Sequence, residues 1–212
     1  MLPEIRHRYL MEVKSNYLDK HKKGSLSARG LIFLSEANES ALDVTDSDLN
    51  DWDFIKEVCE FSWLTQKLLP LQNVALIGHF VRQSVTPQVM LAYDVITNYI
   101  ECHSDAQHAI ETLKGKKFPW LYHLIKQEHR KEVAKAKTTL NSKIKVVFPE
   151  IMYAVTQRRA AYYVLINQIG HYKKLLHSGD IESSHANMIL DELNHQKGKY
   201  NRYAPVPKSI DS

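Results

Sequence analysis

Three Glu-x-x-His pairs are the residues of this sequence whose spacing most directly suggests metal chemistry. The pairs are Glu4 with His7, Glu182 with His185, and Glu192 with His195. Residues three apart share one face of a helix, so in carboxylate-bridged di-iron bundles both side chains of such a pair reach one metal.

The spacing between the pairs argues against a shared metal centre. The second and third pairs lie ten residues apart on one predicted helix, a rotation of about 1000° and a rise of about 15 Å. They are therefore about 80° out of register. The core-facing positions that would have to supply further glutamates are mostly apolar. We therefore expect no metal site and no cofactor, and a metal-binding helical-bundle oxidase stays only as a third alternative.

A second cluster combines Cys102 with His103 and His108. A cysteine beside a histidine suggests nucleophilic chemistry, but local spacing places no acidic group to orient the base. We interpret the cluster as a helix end with solvated histidines. The sequence also lacks a GxSxG elbow, a Walker loop and a dinucleotide fingerprint. We therefore predict no catalytic residue and no enzymatic activity.

Positive charge is concentrated in one segment, residues 114–145, which carries a net charge of +8. Its only acidic residues are Glu128 and Glu132. Its ten basic residues are Lys114, Lys116, Lys117, Lys126, Arg130, Lys131, Lys135, Lys137, Lys143 and Lys145. Such a face suits solvent alone, an anionic lipid surface or an acidic protein partner. The charge is mostly lysine and no base-reading module is present, so we do not expect nucleic-acid binding.

Composition supports a helical, water-compatible chain. With 212 residues, 44% hydrophobic and 25% charged, the chain is long enough for one domain or at most two. The longest apolar stretch, residues 68–81, is interrupted by Pro70, Gln72 and Asn73, so no membrane span is expected. Two cysteines without CxxC spacing indicate a reducing compartment.

Helical periodicity predicts an all-α fold, a multi-helix bundle of about seven to nine helices with helical hairpins at both ends and one long cationic helix. The first hairpin joins a helix over residues 2–23 to a second helix across Gly24, with Ser25 or Ser27 as the cap. The last hairpin turns at Gly179, and Ser178 or Asp180 caps its second helix. Tyr17 and Gly24 recur at the same spacing as Tyr172 and Gly179.

Between the hairpins, turn and breaker residues divide the predicted helices. The polar run 45–48 starts a third helix that extends to Leu64. Thr86 with Pro87 starts the next, and Ser104 with Asp105 interrupts it. The cationic helix covers residues 118–147, and the helix over 150–177 is expected to be the most buried.

We expect residues 1–203 to form a single helical domain. Residues 204–212, with two prolines, are expected to be a flexible tail or a linker to a missing downstream domain.

Several motifs, taken in order, resemble the helical segment that follows the transporter core in salt-overly-sensitive type sodium/proton exchangers of plants and protists. In the first half these are Tyr9-Leu10, Tyr17, Gly24, Leu34, Ala41-Leu42-Asp43 and Asp51-Trp52. In the second half they are Ala92-Tyr93-Asp94, Tyr99-Ile100, Phe148-Pro149-Glu150-Ile151, Ala154-Val155 and Thr156-Gln157-Arg158. The run through Leu175, Gly179 and Leu193 to Pro205 and Pro207 is similar to the approach to a cyclic-nucleotide-binding-like domain. The chain resembles sperm-type exchangers more distantly.

The resemblance implies a non-catalytic cytosolic regulatory and dimerisation domain that couples a membrane transporter to downstream regulatory modules. Its implied partners are a second copy of the chain, the membrane domain of the same exchanger and a cyclic-nucleotide-binding-like domain. Its implied location is the cytoplasmic face of a membrane, the plasma membrane first. No transport residue can be carried over, because the sequence lacks the membrane helices. The alternative is a free-standing soluble helical adaptor that binds a protein partner.

Overall fold

A computed structural model describes residues 1–59, 77–112, 119–147 and 149–202. Its α-helices are α1 (Leu2–Lys22), α2 (Ala28–Leu42), α3 (Asp51–Ile55), α4 (Ile77–Thr112), α5 (Pro119–Thr139), α6 (Pro149–Ser178) and α7 (Ser183–Arg202). A 3-10 turn, Lys56–Cys59, follows α3, and a π-helical segment, Leu140–Lys145, follows α5. The described residues contain no strand, which confirms the all-α prediction. None of the described helices is both long and apolar enough to cross a membrane.

Backbone packing divides the chain into two compact units. One comprises Met1–Pro70 and Gln88–Phe148, and the other comprises Leu71–Pro87 and Pro149–Ser212. The division falls within α4, next to Pro87. The predicted tail, residues 204–212, lies outside the described residues.

The predicted first hairpin is confirmed in the first unit. Gly24 adopts a φ of 75°, which an L side chain rarely tolerates, and the chain reverses there. The amide of Ser25 donates to the Lys20 carbonyl at 2.9 Å, closing the end of α1. Ser27 caps α2, since its hydroxyl accepts from the amide of Gly30 at 3.0 Å. The buried apolar face of α1 consists of Tyr9, Leu10, Val13 and Tyr17.

The second unit contains the same kind of hairpin, formed by α6 and α7. Gly179 has a φ of 78°, and the amide of Asp180 donates to the Leu175 carbonyl at 3.0 Å. The hairpin core consists of Leu165, Ile169, Leu190 and Leu193. The predicted cap is wrong, because α7 begins only at Ser183. The Ser178 hydroxyl instead hydrogen-bonds the Asp180 carboxylate within the turn.

Helix α4 contradicts two predicted boundaries. Thr86 and Pro87 do not start a helix, since α4 begins at Ile77 and contains Pro87. Proline removes one amide donor and bends a helix, but flanking turns can continue it. Ser104 and Asp105 do not interrupt α4 either. The Ser104 hydroxyl donates to the Ile100 carbonyl at 2.8 Å, a contact that a helix accommodates.

The predicted third helix is shorter than expected. Helix α3 has five residues and its N-cap is Asn50, without a side-chain capping bond, so the run 45–48 is not its cap. The carbonyls of Thr45 and Asp46 are instead used as acceptors by the Arg6 guanidinium, at 3.2 Å each. The rest of this predicted helix, from residue 60 onward, lies outside the described residues.

The predicted cationic helix is present but not uniform. Helix α5 starts at Pro119, a position that tolerates proline because the first amides of a helix have no internal partner. After Thr139 the backbone widens into the π-helical segment. Leu140 and Ile144 are both buried. In a straight α-helix, a series of residues spaced four apart rotates gradually around the axis, so this apolar stripe would turn away from the core. The wider winding of the π-helical segment offsets that rotation.

The expectation that α6 is the most buried helix is wrong. Tyr153 is 70% exposed and Val164 is 56% exposed. The apolar residues of α6 are spread around the helix instead of forming one stripe. Helix α4 is more buried in its second half, where Val95, Ile96 and Tyr99 are fully inaccessible.

Candidate functional site

The cationic segment is only partly assembled into one surface. Lys114, Lys116 and Lys117 lie outside the described residues. The remaining basic residues of the segment differ in their exposure. The exposed ones are Arg130, Lys131, Lys137, Lys143 and Lys145, and the half-buried ones are Lys126 and Lys135.

Lys135 does not belong to the exposed cationic surface. Its Nζ lies 2.7 Å from Glu132 Oε1 and 3.6 Å from Asp53 Oδ2. Burial lowers the pKa of Lys135, but the Glu132 and Asp53 carboxylates outweigh it and raise that pKa overall. Lys135 is therefore an internal partner of these carboxylates.

Both acidic residues of the segment point inward. The side chain of Glu128 is 6% exposed and that of Glu132 is 1% exposed. The outer side of α5 and of the π-helical segment therefore presents cations and neutral side chains without carboxylates. Net charge alone did not indicate this separation of the two signs across one helix.

Glu128 is held by Arg6 of α1. Arg6 Nε donates to Glu128 Oε2 at 2.9 Å, and Arg6 Nη2 donates to Glu128 Oε1 at 2.6 Å. Arg6 Nη2 also donates to Asp48 Oδ1 at 2.9 Å, and the Leu49 amide donates to Glu128 Oε2 at 3.3 Å. The Glu128 hydrogen bond and charge raise the pKa of Arg6 despite its burial. A two-bonded guanidinium–carboxylate pair fixes orientation as well as distance.

A second buried cluster centres on the Tyr9 hydroxyl. It lies 2.9 Å from His103 Nδ1 and 2.7 Å from His129 Nδ1. The hydroxyl proton can be donated to only one of these nitrogens, so the other imidazole must donate to the Tyr9 oxygen. The two imidazoles are stacked, with ring centroids 6.2 Å apart. Tyr9 thus joins α1 to both α4 and α5.

Asp51 extends this cluster to α3. Its Oδ2 lies 2.8 Å from His103 Nε2, and its Oδ1 accepts from the Tyr99 hydroxyl at 3.1 Å. Asp51 Oδ2 and His103 Nε2 are close but do not form a well-aligned hydrogen bond, so their contact is mainly electrostatic. The Tyr9 hydroxyl also lies 3.3 Å from the His103 carbonyl oxygen, which is a further acceptor for its proton.

Burial controls the protonation of this cluster. It lowers the pKa of His129 to about 4, and the neighbouring His103 contributes in the same direction. It raises the pKa of Tyr9 well above its ordinary value, with Asp51 and Glu132 adding to the effect. Burial also raises the pKa of Glu132, although Lys135 opposes this change. At neutral pH, His129 and Tyr9 are therefore both uncharged.

We name the residues Arg6, Tyr9, Asp51, Tyr99, His103, Glu128, His129, Glu132 and Lys135 the buried polar network. It joins α1, α3, α4 and α5 within the first unit. Paired polar groups in a water-poor core define one arrangement of the helices that carry them, because each misplaced group loses a partner. The chemistry that this geometry supports is rigid positioning of the helices.

The interpretation of His103 as a solvated histidine is wrong. His103 is fully buried, and the acidic group that local spacing lacked comes from α3 as Asp51. His108 is exposed, as expected. One signal was present in the sequence. Tyr99, Cys102, His103 and Ala106 recur with helical spacing, so His103 shares the apolar stripe of α4.

The Glu-x-x-His pairs do not converge. Glu4 pairs with Arg8 at 2.8 Å, and His185 lies 3.5 Å from Glu182 on an exposed surface. Glu192 accepts from Gln196 at 2.9 Å. Across the described ranges, no group of three His, Cys, Asp or Glu side chains is arranged to bind a metal.

Nearly the whole chain aligns with part of two larger proteins. It is similar to sodium/hydrogen exchanger 7 of Arabidopsis thaliana, with 23% identity over 217 residues, 98% of this chain and 18% of that protein. It is also similar to sodium/hydrogen exchanger 8 of the same organism, with 22% identity over 210 residues, 97% of this chain and 26% of that protein. No family model matches the chain. The chain spans only about a fifth to a quarter of these relatives, so the similarity is to one segment of each of them.

Proposed function

We propose that this chain is a non-catalytic cytosolic regulatory and dimerisation domain of a sodium/proton exchanger. The observation that carries the proposal is the alignment of 98% of the chain with 18% of an exchanger. An alignment that uses nearly all of one chain and a small part of the other fits a segment added to a transporter. Asp51 and Tyr99, which belong to motifs by which the sequence resembles the cytosolic helical region, lie in the buried polar network. The amide of Trp52 donates to Glu132 of the same network.

The buried polar network supports a role in transmitting position. Arg6 and Glu128 are 122 residues apart in sequence and are joined by two charge-assisted hydrogen bonds. Helices locked in this way move as one body, since a shift of one helix breaks bonds to the others. In the proposed mechanism this body couples the membrane transporter to a downstream module, such as a cyclic-nucleotide-binding-like domain.

The proposed assembly is a homodimer at the cytoplasmic face of the plasma membrane, in an exchanger that contributes to salt tolerance. Exposed apolar side chains on α6, Tyr153 and Val164, support self-association, because such groups favour contact with a partner surface. Sedimentation equilibrium of the chain tests this step. We expect a dimer that Tyr153→Ser with Val164→Ser weakens. A monomer at all concentrations would contradict dimerisation by this chain.

The reading frame around the coding sequence tests the link to an exchanger. We expect the transcript to encode, upstream of the codon for Met1, several segments long and apolar enough to span a membrane. A transcript that starts at Met1 and stops after Ser212 would contradict the proposal and favour the free-standing adaptor.

A transport assay tests the coupling itself. In the exchanger that contains this chain, we expect Asp51→Asn to change sodium-driven proton flux through membrane vesicles, because Asp51 lies in the buried polar network. The matched control is Asp43→Asn, which removes a carboxylate from an exposed position. Equal flux in both variants at equal protein amounts would contradict coupling through the network.

A further inference from the structure

The exposed side of α5 and the π-helical segment combines cations with apolar side chains. We define the cationic face by Trp120, Arg130, Lys131, Lys137 and Val146, all of which are exposed. We propose that the cationic face binds the headgroup region of an anionic lipid surface. This inference rests on the proposed function in one respect, because it takes the chain to be an exchanger domain that lies beside a membrane.

The charge on this face is of one sign because of how the helix is oriented. Glu128 and Glu132, the acids that could neutralise it, are buried against Arg6 and Lys135. Their field toward the outer side is reduced by these internal cations. Arg130, Lys131 and Lys137 therefore have no exposed carboxylate on their own helix to neutralise them.

The cations of the face are available for an external anion. Within the described parts of the chain, Arg130, Lys131 and Lys137 make no ion pair or hydrogen bond through their side chains. Each basic side chain close to an anionic leaflet contributes about 1 kcal/mol, which corresponds to about a fivefold change in binding. Three together correspond to about a hundredfold change.

Large apolar side chains stand at both ends of the same face. Trp120 is 61% exposed and Val146 is 72% exposed. At 100° per residue, Trp120 and Lys131 lie within about 20° of each other around α5. The wider winding of the π-helical segment then carries Val146 back toward the same side. Tryptophan is enriched where headgroups meet hydrocarbon, since its ring is apolar and its N–H is polar.

This combination favours lipid over other anionic partners. A headgroup layer offers phosphate and carboxylate oxygens to the cations and, a few ångströms deeper, apolar chains to Trp120 and Val146. Nucleic acid would use the cations alone, because the face contains no group positioned to read bases. An acidic protein would have to supply apolar pockets at both ends of the helix.

Vesicle co-sedimentation of the 212-residue chain tests the proposal. We expect binding to phosphatidylcholine vesicles that contain about 30 mol% phosphatidylserine, weaker binding at about 0.5 M salt than at about 0.05 M, and little binding to phosphatidylcholine alone. Equal binding to neutral and anionic vesicles would overturn it.

Charge-neutralising variants locate the binding surface. We expect the triple variant Arg130→Gln, Lys131→Gln, Lys137→Gln to lower the partition coefficient by about a hundredfold. The matched control removes the same charge from exposed lysines elsewhere, Lys23→Gln, Lys173→Gln, Lys174→Gln. An equal loss in both triple variants, with unchanged circular dichroism, would overturn the assignment of this face.

Trp120 provides a readout that distinguishes lipid from a soluble anion. Trp120 is 61% exposed and Trp52 is 3% exposed, whereas Trp63 lies outside the described residues. The part of the blue shift of emission on vesicle binding that Trp120→Phe removes therefore reports Trp120. We expect Trp120→Phe to lower the blue shift, and inositol hexakisphosphate to produce none. Binding of inositol hexakisphosphate or of an acidic protein, without binding of vesicles, would overturn the proposal.

The transport and reading-frame tests do not depend on vesicle binding by the isolated chain. Failure of the lipid proposal is therefore distinguishable from failure of the proposed function.

Discussion

Arg6 and Glu128 form a buried ion pair with two hydrogen bonds, of 2.9 and 2.6 Å, between the first helix of the chain and the cationic helix. Both side chains are more than nine-tenths buried. The pair couples the orientation of α5 to α1, and it withdraws one carboxylate from the outer surface of α5. The internal network and the external charge of α5 therefore depend on the same contact.

Removing one partner of this pair should destabilise the first unit. Arg6→Met leaves the Glu128 carboxylate buried without its main cation, and we expect a loss of about 3 kcal/mol in the free energy of unfolding. Urea denaturation followed by circular dichroism measures this loss. Glu4→Gln, which breaks the exposed pair with Arg8, serves as the control and should change stability by less than about 0.5 kcal/mol. Equal effects would contradict the role assigned to the buried pair.

The Tyr9 hydroxyl should be required for stability. Tyr9→Phe retains the ring but removes the group between His103 and His129, leaving two imidazole nitrogens without that partner. We expect a loss of about 1 to 3 kcal/mol in unfolding free energy. Tyr153→Phe removes a hydroxyl from a side chain that is 70% exposed and should have almost no effect. A silent Tyr9→Phe variant would show that the cluster is not a stabilising contact.

Stability should fall as the pH is lowered below neutrality, because of His129. Its pKa is about 4 in the folded chain and near 6.5 in the unfolded one, so the unfolded chain binds more protons between these values. The stabilisation is present above pH 6.5 and is lost as the pH falls toward 4. We expect about 2 kcal/mol less unfolding free energy at pH 5 than at pH 7 from this group.

His129→Gln isolates that contribution in urea titrations at the two pH values. The pKa of Glu132 is raised, so its contribution has the opposite sign and is lost as the pH rises through its folded value. The variant should keep the Glu132 contribution and lose the decline due to His129. A variant with the same pH dependence as the parent chain would contradict the assignment.

Two glycines of the second unit should respond oppositely to alanine. Gly179 has a φ of 78°, so Gly179→Ala imposes backbone strain and should cost about 1 kcal/mol. Gly170 lies inside α6, and beyond the neighbouring backbone of its own helix a Cβ added there would meet no atom within 4 Å. Gly170→Ala should therefore stabilise by about 0.5 to 1 kcal/mol through helix propensity. Thermal unfolding compares the two, and a shift of both melting temperatures in the same direction would contradict this explanation.

Local sequence signals predicted the structure correctly where a single residue determined the backbone conformation. Gly24 and Gly179 marked both hairpins, since a left-handed turn after a helix needs a residue without a Cβ. Thr86 with Pro87 misled because the same pair of residues also occurs within the helix interior of α4, where flanking turns continue the helix past the proline.

The sequence by itself determined the helical class, the hairpins at both ends and the excess of cations on one helix, because these depend on neighbours within a turn or two. Only the tertiary structure decided which charges are inside. Arg6 meets Glu128 and Asp51 meets His103 across separations of 122 and 52 residues. No spacing rule relates such pairs, since they form when packing brings two helix faces together and burial makes an unpaired charge too costly.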